Sequence, residues 1–360
     1  MRCLVTGGAG FIGSNLVDKL INDGNEVIIF DNLSTCKREN INPKAKFFLI
    51  DISNPSHFKD KKIKDIMTEV DVVFHLAAMA RVQPSIEDPI AYHNVNVNGT
   101  LNLLKACVDY GVNRFVFSSS SSIYGDVEEK DLPTSENSNL NPMSPYALHK
   151  LIGEQYCKLF SKLHNIKTIC LRYFNVYGDR QPTEGAYCLV MGVFAQQLLN
   201  NKPMTIRGDG EQRRDFVHVD DVVDANILAS KNDEIFNEDI KCRAFNIGFG
   251  DNKSVNQIAK LMGDNKITVK PVIEPRQTLA DNNKARKLLN WIPSRNLENW
   301  LLKWKNKIGI NNKMNKFEIK NRINYLKTEL VHHGYHDGWT IKGMKKELKE
   351  LIKMEKQCQK

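Results

Sequence analysis

RCLVTGGAGFIGSNLVDKLINDGNEVIIFD, Arg2–Asp31, is the stretch that decides the fold. Cys3-Leu4-Val5 is a short apolar run of the kind that forms a buried strand. It breaks into Gly7, Gly10 and Gly13, after which Ile12, Leu16, Val17 and Leu20 recur on one face of a helix. Gly24-Asn25 marks a turn, and Val27-Ile28-Ile29-Phe30 is a second buried strand that ends at Asp31. Glycines at the first turn let the chain bend tightly. They also let a pyrophosphate approach the amides at the helix N-terminus, where the dipole favours negative charge. Asp31 stands 18 residues past Gly13, close to the spacing of about 20 expected of the acid that holds an adenosine ribose. A carboxylate there would repel a 2′-phosphate, so the pattern predicts NAD rather than NADP.

The rhythm continues outward. Asn32–Asn42 is polar and loop-like, and Lys46–Ile50 reads as a third strand ending at Asp51-Ile52, which suits an adenine edge as well as simple strand termination. A helix is expected over 55–69, then a buried strand over Val70–Leu76 that ends in His75-Leu76-Ala77-Ala78. Small residues there let a cofactor lie against the backbone, while His75 reads as a packed strand-end histidine. Asp88-Pro89 opens a long helix to about Tyr110. Arg114–Ser118 is a fifth strand, 131–145 a loop, 146–164 a helix, and 167–173 a strand ending in Tyr173-Phe174-Asn175. Strands alternating with helices this regularly predict an α/β, doubly wound parallel sheet over 1–175. Beyond it, a helix over 188–200, short strands at Met204–Ile206 and Phe216–Val219 around the basic loop Asp209–Arg214, and a helix from Asp220 suggest a smaller mixed lobe over 176–310. A strand near Ala244–Ile247, a helix near 254–262 and a strand near 267–271 complete it, with some later segments returning to the sheet.

The 360 residues carry a net charge of +9. Residues 311–360 hold 12 Lys+Arg and 6 Asp+Glu, so most of the excess belongs to this basic extension. Nucleic-acid binding is therefore not expected of the body and stays open for the extension. Helical segments Phe317–Val331 and Ile341–Lys356, with apolar stripes through Leu326, Leu330, Met344, Leu348 and Leu351, suggest a helical hairpin. His332, His333 and His336 between them lack a second ligand set, and no metal is expected. No apolar run reaches the roughly 18 residues of a membrane span. Met1 is followed at once by the first strand, leaving no room for a leader. The 8 Cys show no paired metal-binding spacing. These features predict a cytoplasmic protein with reduced cysteines.

Tyr146 and Lys150 lie one helical turn apart and share a face. A lysine cation beside a phenol favours the phenolate and brings its pKa down from about 10, which would make Tyr146 a general base for a hydroxyl. A strand-end serine from Ser118–Ser122 can share that proton.

Together, Gly7-Gly8-Ala9-Gly10-Phe11-Ile12-Gly13, HLAA at 75–78, SSSSSIYGD at 118–126, SPYALHK at 144–150 and LRYFNVYG at 171–178 resemble the extended short-chain dehydrogenase/reductase family. More narrowly they resemble its nucleotide-sugar 4-epimerases, over about residues 1–305. The resemblance implies a Rossmann-type fold, NAD as cofactor and a UDP-sugar as substrate. It implies Tyr146 as base, Lys150 on the nicotinamide ribose and Ser120 on the sugar O4. Gly7, Gly10, Phe11, Ile12, Gly13, Asp31, Asn32, Asp51, Ile52, Leu76, Ala77, Ala78, Asn96 and Tyr173 fall at cofactor positions. Asn175, Arg214 in GEQRRDF and Arg276 in EPRQTLAD fall at substrate diphosphate positions, and Thr278 near the gate that admits or excludes an N-acetyl group. Arginine forks suit phosphate oxygens.

Related 4,6-dehydratases carry Asp-Glu where this chain has Ser121-Ser122, so elimination would lack its acid and base. Epimerisation needs neither: the hydride of C4 is lent to NAD and returned to the other face of a transient 4-keto sugar. The Ser-rich stretch and GAYCLVM at 185–191 resemble enzymes of UDP-N-acetylhexosamines. Ala80-Arg81-Val82-Gln83-Pro84-Ser85 departs from that pattern and is equally like UDP-glucose 4-epimerases. The expected substrates are thus UDP-GlcNAc/UDP-GalNAc, ahead of UDP-glucose/UDP-galactose. A nucleotide-sugar dehydratase or UDP-glucuronate epimerase or decarboxylase is the alternative, and a dinucleotide-sensing regulator the non-enzymatic one. The resemblance also implies a homodimer through the helices at 89–110 and 146–164.

Overall fold

The computed structural model describes residues 1–182, 190–237, 240–271 and 274–310, and helical residues at 323–324, 326–327, 345–346 and 348–352. Two compact units are present, Met1–Trp304 and Lys305–Lys360.

The first unit begins with strand β1 (Arg2–Thr6), helix α1 (Phe11–Asn22), strands β2 (Glu26–Asp31) and β3 (Lys46–Leu49), helix α2 (Lys61–Met67) and strand β4 (Val72–His75). Helices α3 (Val82–Glu87), α4 (Pro89–His93) and α5 (Gly99–Asp109) follow, then β5 (Arg114–Ser120), α6 (Pro145–His164) and β6 (Lys167–Tyr173). The long helix expected from Asp88 to Tyr110 is real but carries a π-helical turn at Asn94–Asn98 between α4 and α5. The helix expected over 55–69 contracts to a 3-10 turn and α2, which starts only where the Asp60 carboxylate caps the amides of Lys62 and Ile63.

Next come β7 (Asn175–Tyr177), α7 (Val190–Leu199), β8 (Met204–Arg207), β9 (Arg213–His218) and α8 (Val219–Lys231). The unit is completed by β10 (Cys242–Ile247), β11 (Asn252–Ser254), α9 (Val255–Met262), β12 (Lys266–Val269), α10 (Asn283–Leu289) and the part of α11 (Leu297–Lys307) up to Trp304. Seven strands form one parallel sheet in the order β10-β6-β5-β4-β1-β2-β3. Helix α8 packs on α1 and on β5 and β6, so within 176–310 both α8 and β10 belong to this sheet layer. A three-stranded sheet β11-β9-β7 and a two-stranded sheet β12-β8 form the remainder. Asn175 opens β7 and therefore sits on the smaller sheet.

The apolar runs of the sequence become strands buried on both faces. Cys3, Val5, Val27, Ile29, Val72 and Phe74 pack on one side; Leu4, Ile28, Phe30, Val73, Phe115 and Phe117 pack on the other. Helix α6 covers the second side so closely that Gly153 lies on the Phe117 ring. A Cβ there would come within 2.4 Å of Phe117 Cζ.

In the second unit, Ile323, Leu326 and Leu351 are buried together, with Leu348 and Ile352 against them. Leu326, Leu348 and Leu351 are stripe positions of the expected hairpin; Ile323 and Ile352 add to them. Leu330, Met344 and the three histidines lie outside the described residues.

Replacing Gly153 by alanine gains about 1 kcal/mol of helix propensity but overpacks the Phe117 contact, at roughly 1–3 kcal/mol. Net destabilisation is expected, read as a lower urea midpoint at unchanged slope. A raised midpoint would refute the packing argument.

Candidate active site

Helix α6 starts where the Ser144 hydroxyl accepts the amide of Ala147 at 3.2 Å, with Pro145 in the first turn. The amide of Tyr146 donates to Ser85 Oγ at 3.1 Å, tying this end to α3. Lys150 is buried and its Nζ donates to the carbonyl of Ser118 at 2.7 Å. That ammonium stands 5.1 Å from the Phe117 ring centre and 6.0 Å from that of Tyr146. Burial pushes Lys150 down to about 8. Tyr146 is moved the other way: burial raises it, while a hydrogen bond with Ser120 and the charge of Arg81 act downward. The expectation that lysine brings the phenol down is thus corrected. Lys150 is turned toward Ser118, and the groups that favour the phenolate are Ser120 and Arg81.

The Ser120 hydroxyl, at the end of β5, also accepts from Ser122 N at 3.2 Å and Ser122 Oγ at 2.9 Å. Ser121 and Ser122 open a 3-10 turn, and no carboxylate belongs to it. His75 is a packed residue as expected, held between Thr6 Oγ1 at 2.7 Å and Thr100 Oγ1 at 2.9 Å, and pushed by burial to about 3.

The glycine turn leaves no room for side chains. A Cβ on Gly13 would lie 2.1 Å from Gly7 O, and one on Gly7, whose φ is +71°, would lie 2.7 Å from Ala77 N. Gly10 gives α1 no side-chain cap, so the first helical amides, at Phe11 and Ile12, have no internal side-chain acceptor at the cap. Asp31 is buried and accepts from Ala9 N at 3.0 Å, Leu33 N at 2.8 Å and the Cys36 thiol at 3.2 Å. Asn32 and Asp51 are joined by a side-chain hydrogen bond, and Ile52 packs under Gly99. The amides of Leu76 and Ala77 bond to Thr6, and Ala78 continues the half-buried strand end. Asn96, in the π turn, both accepts from Met79 N and donates to Met79 O, each at 2.8 Å, which pins the loop after β4. The Tyr173 hydroxyl is buried between Ser118 Oγ at 3.1 Å and Asn226.

On the smaller sheet, Asn175 Nδ2 donates to Asp215 O at 3.1 Å and reaches Thr278 Oγ1 at 3.5 Å. Asn175 and Thr278 therefore meet. Both arginines carry acids: Arg214 pairs with Glu274 at 2.6 Å, and Arg276 forms a bidentate pair with Asp209 at 2.8 and 2.9 Å. The backbone amide of Arg276 donates to Asp126 Oδ1 at 3.0 Å, joining this segment to the loop beyond β5. Of GAYCLVM, residues 185–189 lie outside the described residues.

Residues 3–248 match the NAD dependent epimerase/dehydratase family. The chain belongs to this family. A UDP-glucose 4-epimerase of Thermotoga maritima, solved with UDP-glucose, is 38% identical and superposes with a TM-score of 0.78 over 85% of this chain and 99% of that one. A UDP-N-acetylglucosamine 4-epimerase of Methanobrevibacter ruminantium M1, solved with UDP-N-acetylmuramic acid, is 33% identical with a TM-score of 0.76, covering 85% and 98%. The UDP-glucose 4-epimerase of Lactobacillus helveticus is 35% identical over 315 residues, 81% of this chain and 92% of its own length.

NAD is the cofactor of the family, and the residues present fit it. The side-chain-free turn, the uncapped start of α1 and the carboxylate of Asp31 are the three features a dinucleotide needs at this end of a sheet.

Four residues of the site escape sequence reasoning. Arg81, Ser85, Glu154 and Arg172 surround Tyr146 or the Ser118–Ser120 strand end. Only Glu154 had a usable signal, since it continues the Tyr146–Lys150 stripe by one more turn.

Lys150 carries its charge below about pH 8 and loses it above. Lowered from an unfolded value near 10.4, it gives up its proton in the folded state first. NAD affinity is therefore expected to weaken as pH rises through about 8 in the wild type. In Lys150→Met it should be weaker throughout and flat across that window. Equilibrium titration of the cofactor checks this, and a wild-type affinity that does not change there would refute the role of the charge.

Proposed function

We propose that this protein interconverts the C4 epimers of a UDP-sugar, with Tyr146 as the base. The observation that carries the reading is Tyr146 and a buried Lys150 one turn apart on α6, with Lys150 Nζ bonded to Ser118 O at the end of the strand that bears Ser120, beside a 3-10 turn that offers serines where elimination would need acids. A hydroxyl on C4 lying between Ser120 and Tyr146 meets a donor and an acceptor at once, and its proton passes to Tyr146 in the phenolate form, the form that Ser120 and Arg81 favour. NAD, held by the residues named next, would supply acceptance and return of the C4 hydride. Lys150 orients the cofactor ribose, and Asp31 and the amides of α1 hold the other end. Gly7, Gly10 and Gly13 keep the path open, while Asn32, Asp51 and Ile52 flank the adenine and Leu76, Ala77, Ala78, Asn96 and Tyr173 form the remaining wall.

Asn175 from the start of β7, and Arg214 and Arg276 from the lobe over 176–310, anchor the UDP diphosphate, and Thr278 stands beside Asn175 where the sugar enters. A small hydroxyl side chain at that place leaves space for an N-acetyl group and supports UDP-GlcNAc/UDP-GalNAc over UDP-glucose/UDP-galactose. Pairing of two chains through the helices at 89–110 and 146–164 is supported by apolar side chains facing solvent. Ile90 is 73% exposed, Leu163 62% and Met143 49%, and Ile90, Met143 and Leu148 line an open groove of about 520 Å³.

Incubation with UDP-GlcNAc and, separately, UDP-glucose, followed by NMR, tests the reading. The expected result is a mixture of the two C4 epimers at equilibrium with no net production of NADH. An accumulating 4-keto-6-deoxy sugar would overturn it in favour of a dehydratase. Tyr146→Phe should lower kcat by about 10²–10⁴-fold, the usual weight of general acid–base catalysis. Unchanged turnover would remove Tyr146 from the mechanism.

A further inference from the structure

Three successive turns of α6 face the last three residues of β5. Tyr146 faces Ser120, which favours its phenolate. Lys150 Nζ donates to Ser118 O at 2.7 Å. Glu154 Oε1 accepts from Ser119 Oγ at 2.5 Å. The outermost of these contacts is braced from the neighbouring strand, where Arg172 stands in register with Ser119. Its Nε donates to Glu154 Oε1 at 2.9 Å and its Nη2 to Glu154 Oε2 at 2.7 Å. The two side chains are only 6% and 7% exposed. The remaining nitrogen, Nη1, donates to Tyr124 Oη at 2.7 Å and to Glu136 O at 3.2 Å. Tyr124 in turn donates to Asn246 Oδ1 at 2.6 Å, and Asn246 Nδ2 reaches Thr134 O at 2.9 Å and Asp281 O at 3.2 Å.

We propose that Glu154, through its ion pair with Arg172, is a positioning residue that fixes where the Tyr146 hydroxyl sits against Ser120. The proposal rests on the reading of Tyr146 as the base. A buried ion pair is a weak reason for stability, because apolar residues of the same volume usually serve as well. A two-pronged guanidinium–carboxylate pair supplies something apolar packing does not: one orientation at one distance. Lys150 alone is a single hydrogen bond from α6 to the β5 backbone, about which the helix can rock on its apolar contacts. Tyr146 and Glu154 lie four residues to either side, each about 6 Å along the axis. A displacement at Glu154 therefore returns as an equal and opposite one at Tyr146. Attachment at both Lys150 and Glu154 removes that freedom. The network through Tyr124 and Asn246 extends the same frame to Asp281, three residues past Thr278, so the base and the sugar-entry segment are referenced to one buried charge pair.

The test is the double variant Glu154→Leu/Arg172→Met, which exchanges the pair for apolar volume. A merely structural pair would be fully replaced. The proposal expects a folded protein with wild-type NAD content and KM within about threefold, but kcat lowered roughly 10–100-fold, the scale of a displacement near 1 Å. Tyr146 ionisation, read as the tyrosinate absorbance of the protein minus that of its Tyr146→Phe form, is expected to move to higher pH as the Ser120 bond loosens. Wild-type kcat and ionisation in the double variant would overturn the proposal. If that variant does not fold, Glu154→Gln, which keeps the volume and an acceptor for Ser119, decides in the same way: lowered kcat with shifted ionisation supports it, and neither change overturns it. The ionisation needs no substrate. It separates failure of the positioning idea from failure of the epimerase reading, which Tyr146→Phe activity decides on its own.

Discussion

An ammonium ion taken out of water is strongly disfavoured unless something in the interior replaces its hydration. Lys150 is 5% exposed, and its replacement is the carbonyl of Ser118 with the face of Phe117 beside it. That bond joins the helix bearing Tyr146 to the strand bearing Ser120, and the chemistry of the site depends on it. Satisfying the charge requires α6 to lie close on β5, and closeness requires a glycine at 153, where any side chain would strike Phe117. The sheet face below must then be apolar to its edge, which is why Val73, Phe115 and Phe117 are all buried there. One buried charge thus selects the packing of a whole layer.

The cofactor end obeys a different constraint, namely steric exclusion. Between β1 and α1 the backbone folds back so sharply that Gly13 nearly touches Gly7 O, and Gly7 nearly touches the strand end at Ala77. The sheet order turns over between β4 and β1, so chains leaving these two strands diverge and open a crevice at their carboxyl ends. Tyr146 and Ser120 reach that same edge from β5 and α6. Topology alone therefore brings the dinucleotide crevice and the Ser120–Tyr146 end of the sheet together, and side chains refine the meeting.

Much of this was legible because it follows from local pattern. The β1–α1–β2 unit and strand β6 were readable from apolar runs bounded by glycine or polar turns, and Tyr146 and Lys150 from their spacing and surroundings. What was not legible depends on contacts far apart in sequence. The π turn at Asn94–Asn98 accompanies the closing of Asn96 on Met79, and no periodicity announces it. Asn175 follows β6 after one residue yet belongs to another sheet, a choice made by pairing with Phe216. The effect of Lys150 on Tyr146 was misjudged because spacing gives proximity but not direction: the ammonium turns to a carbonyl instead. Glu154 stood on the same helical stripe, but its partner Arg172 is on another element, and the stripe alone does not distinguish a buried ion pair from a solvated glutamate.

The charge pairs of the molecule divide by burial in a way that matches what each region must do. Arg172 and Glu154 are sealed from solvent, so separating them would leave an uncompensated charge in the interior. They are suited to holding a fixed distance. Arg276 and Asp209 are each 58% exposed, where water screens the attraction and such pairs contribute only about 0–1 kcal/mol. They are suited to exchange. An arginine that already sits opposite a carboxylate is held in the extended, forked arrangement that another oxyanion requires, and releasing it to a diphosphate exposes Asp209 to water at little loss. Arg214 stands between these limits, its side chain 13% exposed against the 34% of Glu274. The gradient runs from the rigid centre around Tyr146 to the rim at Asp209. On the proposed reading, the reacting groups would be fixed where small displacements matter most, and Arg214 and Arg276 would change partners where a charged ligand enters and leaves.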